Sequence, residues 1–248
     1  MAYTTIDDPS EYFTTLLYTG NATDNRNLTN SANAGDFQPD WLWLKERSST
    51  SSHMLHDSTR GASKAVISDT DAAEDEDANR VQAFQTNGFQ VGTASTVNQN
   101  TITMVAWQWK ANGGTTTTND ASSTSIGSID SVIQANTDAG FSVVTWTGTG
   151  SAGTIAHGLG AVPSFILFKN RGADVAWSVY YGDPTDYLVL NTTAETVDNS
   201  NRFNDTAPTS TVFSVGGSNT VNADSNTYVA YCFRSIQGYS KIGSYEGN

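Results

Sequence analysis

Val97-Asn98-Gln99-Asn100-Thr101-Ile102-Thr103-Met104-Val105-Ala106-Trp107-Gln108-Trp109-Lys110 returns without a gap as Val221-Asn222-Ala223-Asp224-Ser225-Asn226-Thr227-Tyr228-Val229-Ala230-Tyr231-Cys232-Phe233-Arg234, 124 residues further on. Five of the fourteen positions are identical, and the aromatic residues Trp107 and Trp109 are replaced by Tyr231 and Phe233. The same spacing relates Phe89-Gln90-Val91-Gly92 to Phe213-Ser214-Val215-Gly216, and Pro39-Asp40-Trp41-Leu42-Trp43-Leu44-Lys45 to Pro163-Ser164-Phe165-Ile166-Leu167-Phe168-Lys169. A repeat of this length is a whole domain, large enough to bury its own core, and so predicts a tandem duplication.

Within each repeat the runs Trp41 to Leu44 and Phe165 to Phe168 are apolar at every position. A strand with one wet face alternates, so each run predicts a central strand covered on both sides. Other β-prone segments, among them Ala2 to Ile6, Tyr12 to Tyr18, Ser125 to Gln134 and Phe141 to Thr147, are separated by turn clusters such as Asp7-Asp8-Pro9-Ser10. Thr70 to Arg80 is too acidic to bury a helix face and reads as a loop or single turn. The expected fold is all-β, two tandem β-sandwiches of jelly-roll or immunoglobulin-like type. The first spans residues 1–112 and the second 125–248. Residues 113–124, rich in Thr, Gly and Ser, form a linker whose Thr run also suits a strand laid along a neighbour.

The composition narrows the function. Of 248 residues 37% are hydrophobic and 15% charged, and the net charge is −13, so no basic surface exists to neutralise nucleic-acid phosphates. No run approaches the ~20 apolar residues of a membrane-spanning helix, and Met1 opens straight into polar sequence without a signal-peptide pattern. Membrane insertion is therefore not expected. The single cysteine, Cys232, reads as a small buried core residue.

Candidate chemistry is thin. His53 and His56 stand three apart, which on a strand points them to opposite faces and prevents shared metal ligation. His157 sits in a glycine-rich turn and is expected to hydrogen-bond there. The acidic residues Asp69, Asp71, Glu74, Asp75, Glu76 and Asp77 lack the spacing of a calcium loop and read as a solvated face. No nucleophile elbow, phosphate loop or recurring carboxylate pair occurs, so no catalytic residue, cofactor or metal is expected, and a polysaccharide hydrolase lacks its paired acids. Four glycosylation sequons stand at Asn21, Asn27, Asn191 and Asn204.

Several segments also carry a family resemblance. Pro39 to Lys45, His56-Asp57-Ser58-Thr59-Arg60-Gly61-Ala62, Asn87 to Gly92 and Val105 to Lys110 resemble, in that order, repeats in large fibre and appendage proteins of marine tailed phages. Ala139 to Gly148, His157-Gly158-Leu159-Gly160, Tyr228 to Phe233 and Gly238 to Tyr245 do so as well. The resemblance implies a β-rich fold in an extracellular or virion fibre, and it brings no catalytic residues. Such relatives often continue into further domains after the Gly-Tyr-Ser-Lys segment, whereas this sequence stops within it.

The expected function is a non-enzymatic structural subunit of an extracellular or virion-associated filament, with copies of itself as partners and strand or terminal-arm exchange as the means of assembly. Tyr239, Ile242 and Tyr245 have the form of the opening strand of a further repeat, so 239–245 is expected to be an extra assembly strand. A carbohydrate-binding adhesin is the alternative, with Trp177, Tyr180 and Tyr181 stacking on surface glycans.

Overall fold

A computed structural model describes residues 5–30 and 35–245. Ala2 to Thr4 of the first expected strand and Glu246 to Asn248 lie outside them. The first half contributes β1 (Phe13–Thr19), β2 (Arg26–Thr29), β3 (Trp41–Glu46), β4 (Met54–Asp57), β5 (Lys64–Ile67), β6 (Asp75–Glu76), β7 (Val81–Gln85), β8 (Gly88–Val91) and β9 (Thr103–Trp109). The second contributes β10 (Thr117–Asn119), β11 (Ser131–Asn136), β12 (Phe141–Thr147), β13 (Gly153–Ala156), β14 (Phe165–Asn170), β15 (Ser178–Tyr180), β16 (Asp186–Tyr187), β17 (Val197–Asp198), β18 (Val212–Val215) and β19 (Thr227–Phe233). Helix among the described residues is confined to single turns, as in Ser95–Asn98 and Ala121–Thr124. The fold is all-β.

Each half is built on a six-stranded sheet, in the order β1-β9-β3-β4-β5-β6 in the first and β10-β11-β12-β19-β14-β15 in the second. A small sheet covers one face of each: β2-β8-β7 in the first half and β13-β18 in the second. Pairings recur between the halves. Trp41 faces Trp109 across β3 and β9, and Phe165 faces Phe233 across β14 and β19. Phe13 faces Trp109 across β1 and β9, and Phe141 faces Phe233 across β12 and β19.

The period-2 alternation of strands assigns their two faces to different cores. Leu42, Leu44, Met54, Ala65 and Ala106 point with Leu28, Phe89 and Val91 into a core beneath the first small sheet. Val144, Trp146, Ile166, Phe168, Tyr228 and Ala230 do the same with Ile155 and Phe213 in the second half. The opposite faces meet one another. Trp41, Leu55 and Val66 of the first half and Phe141, Val143, Leu167, Val179, Val229 and Tyr231 of the second form one shared core, with Trp177 beside them. The molecule is thus four layers, with the two large sheets back to back in the middle. The expectation that each half buries its residues alone needs correcting: Trp41 and Tyr231 belong to the seam, not to separate interiors.

The Thr run of 113–124 does lie as a strand along a neighbour, whereas the expectation for 239–245 changes. Within 113–124, Thr117–Asn119 is the edge strand β10 on β11, and Ala121–Thr124 is a helical turn capped by Asp120, whose side chain accepts from Ser123 N–H. The entry to this segment is pinned by buried Asp40, whose carboxylate accepts from the N–H groups of Ala111 (2.7 Å), Gly113 (2.9 Å) and Gly114 (2.7 Å). At the other end, no strand forms over the described part of 239–245. Gly238 adopts φ +79° and Ile236 N–H reaches Ser240 O at 2.9 Å, so the chain reverses in a tight turn where an extended run was expected.

Candidate functional site

The seam holds the densest polar constellation in the molecule. β4 ends at Asp57, and the turn after it brings Arg60 back over the strand, its N–H donating to Asp57 Oδ1 at 2.8 Å and its Nε to Oδ2. Arg60 Nη2 donates to Leu55 O (3.2 Å) and to the Tyr231 hydroxyl (3.0 Å), which itself donates to Asp57 Oδ2 (2.8 Å). Arg60 Nη1 reaches Glu74 Oε2 at 2.7 Å. Arg171, just past β14, then clamps both oxygens of Glu74 at 2.8 Å each. Two carboxylates and two guanidiniums therefore balance, with one tyrosine between them.

Electrostatics keep Arg60 and Glu74 in their charged forms. Burial disfavours the Arg60 cation, and the negative charges of Asp57 and Glu74, with the hydrogen bond to Glu74, more than offset this, holding its pKa above the ordinary arginine value. Burial also works against the Glu74 carboxylate, but hydrogen bonds from Arg171 and the charge of Arg60 hold it below the usual range. Burial raises the Tyr231 hydroxyl well above its normal value. Beside this network Lys169 is fully buried, donating to the carbonyls of Asp71 (2.7 Å) and Val175 (2.6 Å), and burial lowers its pKa to about 8. The acidic run expected to be a solvated face is in part a clasp: Glu74 is its centre, and Ala73 N–H donates to Asp174 Oδ1 at 2.8 Å.

Aromatic rings fill the seam next to the network. Trp41 stacks on Tyr231 at 4.4 Å between centroids and on Phe141 at 5.6 Å, and Phe141 lies 5.0 Å from Phe233. Where the seam opens, Phe13, Trp109, Phe233, Tyr239 and Ile242 line a cleft of about 250 Å³. Tyr239 also meets Tyr12 of the first half edge-on at 6.2 Å. Tyr245 is 93% exposed, so the three residues expected to act together in assembly are split between a cleft wall and the surface.

The other singled-out residues are dispersed. Trp177 is fully buried with Nε1 donating to Ile67 O at 2.8 Å, and Tyr180 is buried against Phe203. Neither ring is available to stack on a sugar, which corrects the adhesin expectation for this pair; Tyr181 is half-buried. His53 Nδ1 accepts from Trp43 Nε1 at 2.7 Å, whereas His56 points away and places Nδ1 2.7 Å from Ala62 O. His157 Nδ1 accepts from Leu159 N–H and Nε2 faces Thr209 O, which sets the Nε2–H tautomer. Among the described residues no group of three His, Cys, Asp or Glu side chains could hold a metal ion, and no helix is long and apolar enough to cross a membrane. Asn21, Asn27 and Asn204 are exposed; Asn191 is half-buried and accepts from Trp177 N–H at 3.1 Å.

Sequence reasoning missed the network because its members lie in four separate segments. A family described as a domain of unknown function, DUF7483, matches residues 8–248. No curated protein and no solved structure matches the chain.

Proposed function

The chain belongs to the DUF7483 family, and we propose that it is a non-enzymatic structural subunit, two tandem β-sandwiches descended from an internal duplication, that assembles with its own copies into an extracellular or virion-associated fibre. The observation that carries this reading is the seam. The strongly interacting charged groups Asp57, Arg60, Glu74 and Arg171 are turned onto one another between the halves, instead of converging on an open cleft. A catalytic centre needs polar groups with free valence facing a substrate. Here they hold layers together. The recurring registers of β3 with β9 and of β14 with β19 support the duplication.

Assembly in this reading uses strand or terminal-arm exchange, with 239–248 as the arm, and the exposed Asn21, Asn27 and Asn204 accept sugar where the protein matures in a glycosylating compartment. Electron microscopy of the purified protein, alongside a glycan array, tests it. Filaments or defined oligomers without glycan binding are the expected result. Monodisperse single particles that bind a defined glycan would overturn it.

A further inference from the structure

β1 and β12 occupy equivalent places in the two large sheets, each pairing with the last long strand of its half. They differ on the other side. β12 is covered by β11, with Asn136 facing Phe141 and Ser131 facing Trp146. β1 is the edge of its sheet, with nothing beyond it among the described residues.

The free side can be read from the ladder. Tyr12 O accepts from Lys110 N–H and Gly20 N–H donates to Ile102 O, so even-numbered residues between them exchange bonds with β9. The backbone groups of Phe13, Thr15, Leu17 and Thr19 then point outward. Of these, Thr19 O is taken by Arg26 Nη1 at 2.8 Å. Leu17, at the middle of this edge, is 58% exposed.

Proteins blunt such edges with charge, proline, bulges or brevity. The other three outer edges of the large sheets follow that rule. β6 is two acidic residues, β10 is three residues long, and β15 exchanges backbone bonds between Val179 and Leu188. β1 carries such a device only at its Thr19 end, where Arg26 takes one carbonyl; otherwise it is seven residues in unbroken register, Phe-Thr-Thr-Leu-Leu-Tyr-Thr, without charge or proline.

We propose that β1 is a strand-addition site whose occupant is β1 of a second copy of this chain, paired antiparallel about a two-fold axis. This rests on the assembly reading above and names its contact. A seven-residue uncharged acceptor needs a donor edge of the same kind, and β1 is the one such edge of the large sheets. Charge favours the antiparallel sense: Asp8 and Glu11 precede the Phe13 end, where Lys110 lies over the Tyr12 ring, while Arg26 sits on the Thr19 end, so the carboxylates of each copy meet Arg26 of the other. Full overlap sets Leu16 against the partner's Leu16 and covers Leu17, giving the first half what β11 gives the second. Such a contact is self-complementary and closes as a dimer, leaving terminal arms to extend it.

Sedimentation of the full chain, of Leu17→Lys and of oxidised Leu16→Cys tests the pairing, with thermal melts as a folding control. The wild type should dimerise, Leu17→Lys should keep its melting temperature but dimerise about ten-fold or more weakly because a charge enters the strand junction, and Leu16→Cys should form a disulfide-linked dimer. A wild type that stays monomeric at all concentrations overturns the proposal. Assembly untouched by Leu17→Lys, with no cross-link at Leu16, removes this site and leaves the fibre reading standing. Dimers that depend on Leu17 but never extend into fibres uphold the site and sink the fibre reading.

Discussion

The two halves share strand registers but not interiors. The second packs rings: Trp146 lies 5.3 Å from Tyr228 and 5.7 Å from Phe213, and Phe168 touches Phe203 and Phe213. The first is mostly aliphatic, with Leu42, Leu44, Met54 and Val97 at its centre. Polar groups diverge as well. Asn170 is bonded throughout, donating to Asn219 O and the Tyr228 hydroxyl and accepting from Gly172 N–H, whereas Glu46 at the matching position is buried with neither oxygen partnered. His56, opposite Tyr180 in the alignment, likewise has an unpartnered Nε2. Backbone pairing thus tolerates very different fillings, and the two halves share the core of the seam.

The strongest way to break that comparison is at the seam. Trp41→Ala and Phe168→Ala should each cost roughly 3–5 kcal/mol by urea denaturation, but with different shapes. Trp41→Ala should split unfolding into two transitions, the first half leaving first, while Phe168→Ala should weaken the second half. A single transition that Trp41→Ala leaves unmoved would mean that this ring does not hold the halves together.

Next comes Arg60→Met, which strands the buried Asp57 carboxylate and leaves Glu74 to Arg171 alone, and should cost about 3–5 kcal/mol, since an uncompensated buried charge is far more costly than a missing pair. A double-mutant cycle with Arg171→Met should show coupling through Glu74. Independent effects would mean the network is two separate contacts.

Acid should then find the first half. Burial pushes His56 down to about 3 from 6.5, so the unfolded chain binds a proton that the folded chain refuses throughout that interval. The contribution is complete above pH 6.5 and is lost as pH falls toward 3, worth up to roughly 5 kcal/mol. His56→Gln should flatten this part of the pH–stability curve. Tyr180 offers no such titration, but burial also lowers His157 in the second half, by less than His56, so tryptophan fluorescence dominated by Trp146 should report acid unfolding somewhat later than that of Trp41 and Trp43.

The smallest change sharpens the contrast. Glu46→Asn imports the second half's residue and relieves an unpartnered buried carboxyl, and should raise stability by about 1 kcal/mol in thermal denaturation.

Strands were the most legible part of the chain. Full apolarity in Trp41 to Leu44 and Phe165 to Phe168 marks central strands, because only cover on both faces allows it. What provides the cover was hidden, since periodicity assigns a face without naming what lies against it. The charged network was hidden for a related reason: Asp57, Glu74, Arg171 and Tyr231 meet only through tertiary packing. Residues 239–245 misled because Tyr239, Ile242 and Tyr245 suggest a strand, while Gly238 reverses the backbone first. Thr117–Asn119 was half legible: its Thr run suits an extended strand along a neighbour, but nothing in it names β11 as the receiver.

Asp40 has a mechanical consequence. By gathering the N–H groups of Ala111, Gly113 and Gly114, and the Ser58 hydroxyl at 2.8 Å, it fastens the passage from one half to the other at the point where a hinge would otherwise sit. Gln134 adds a second fastening through Ser58 and Thr59. The passage between the halves is thus fastened as well as packed, so an assembly of the proposed kind would flex at the joints between molecules and not within one.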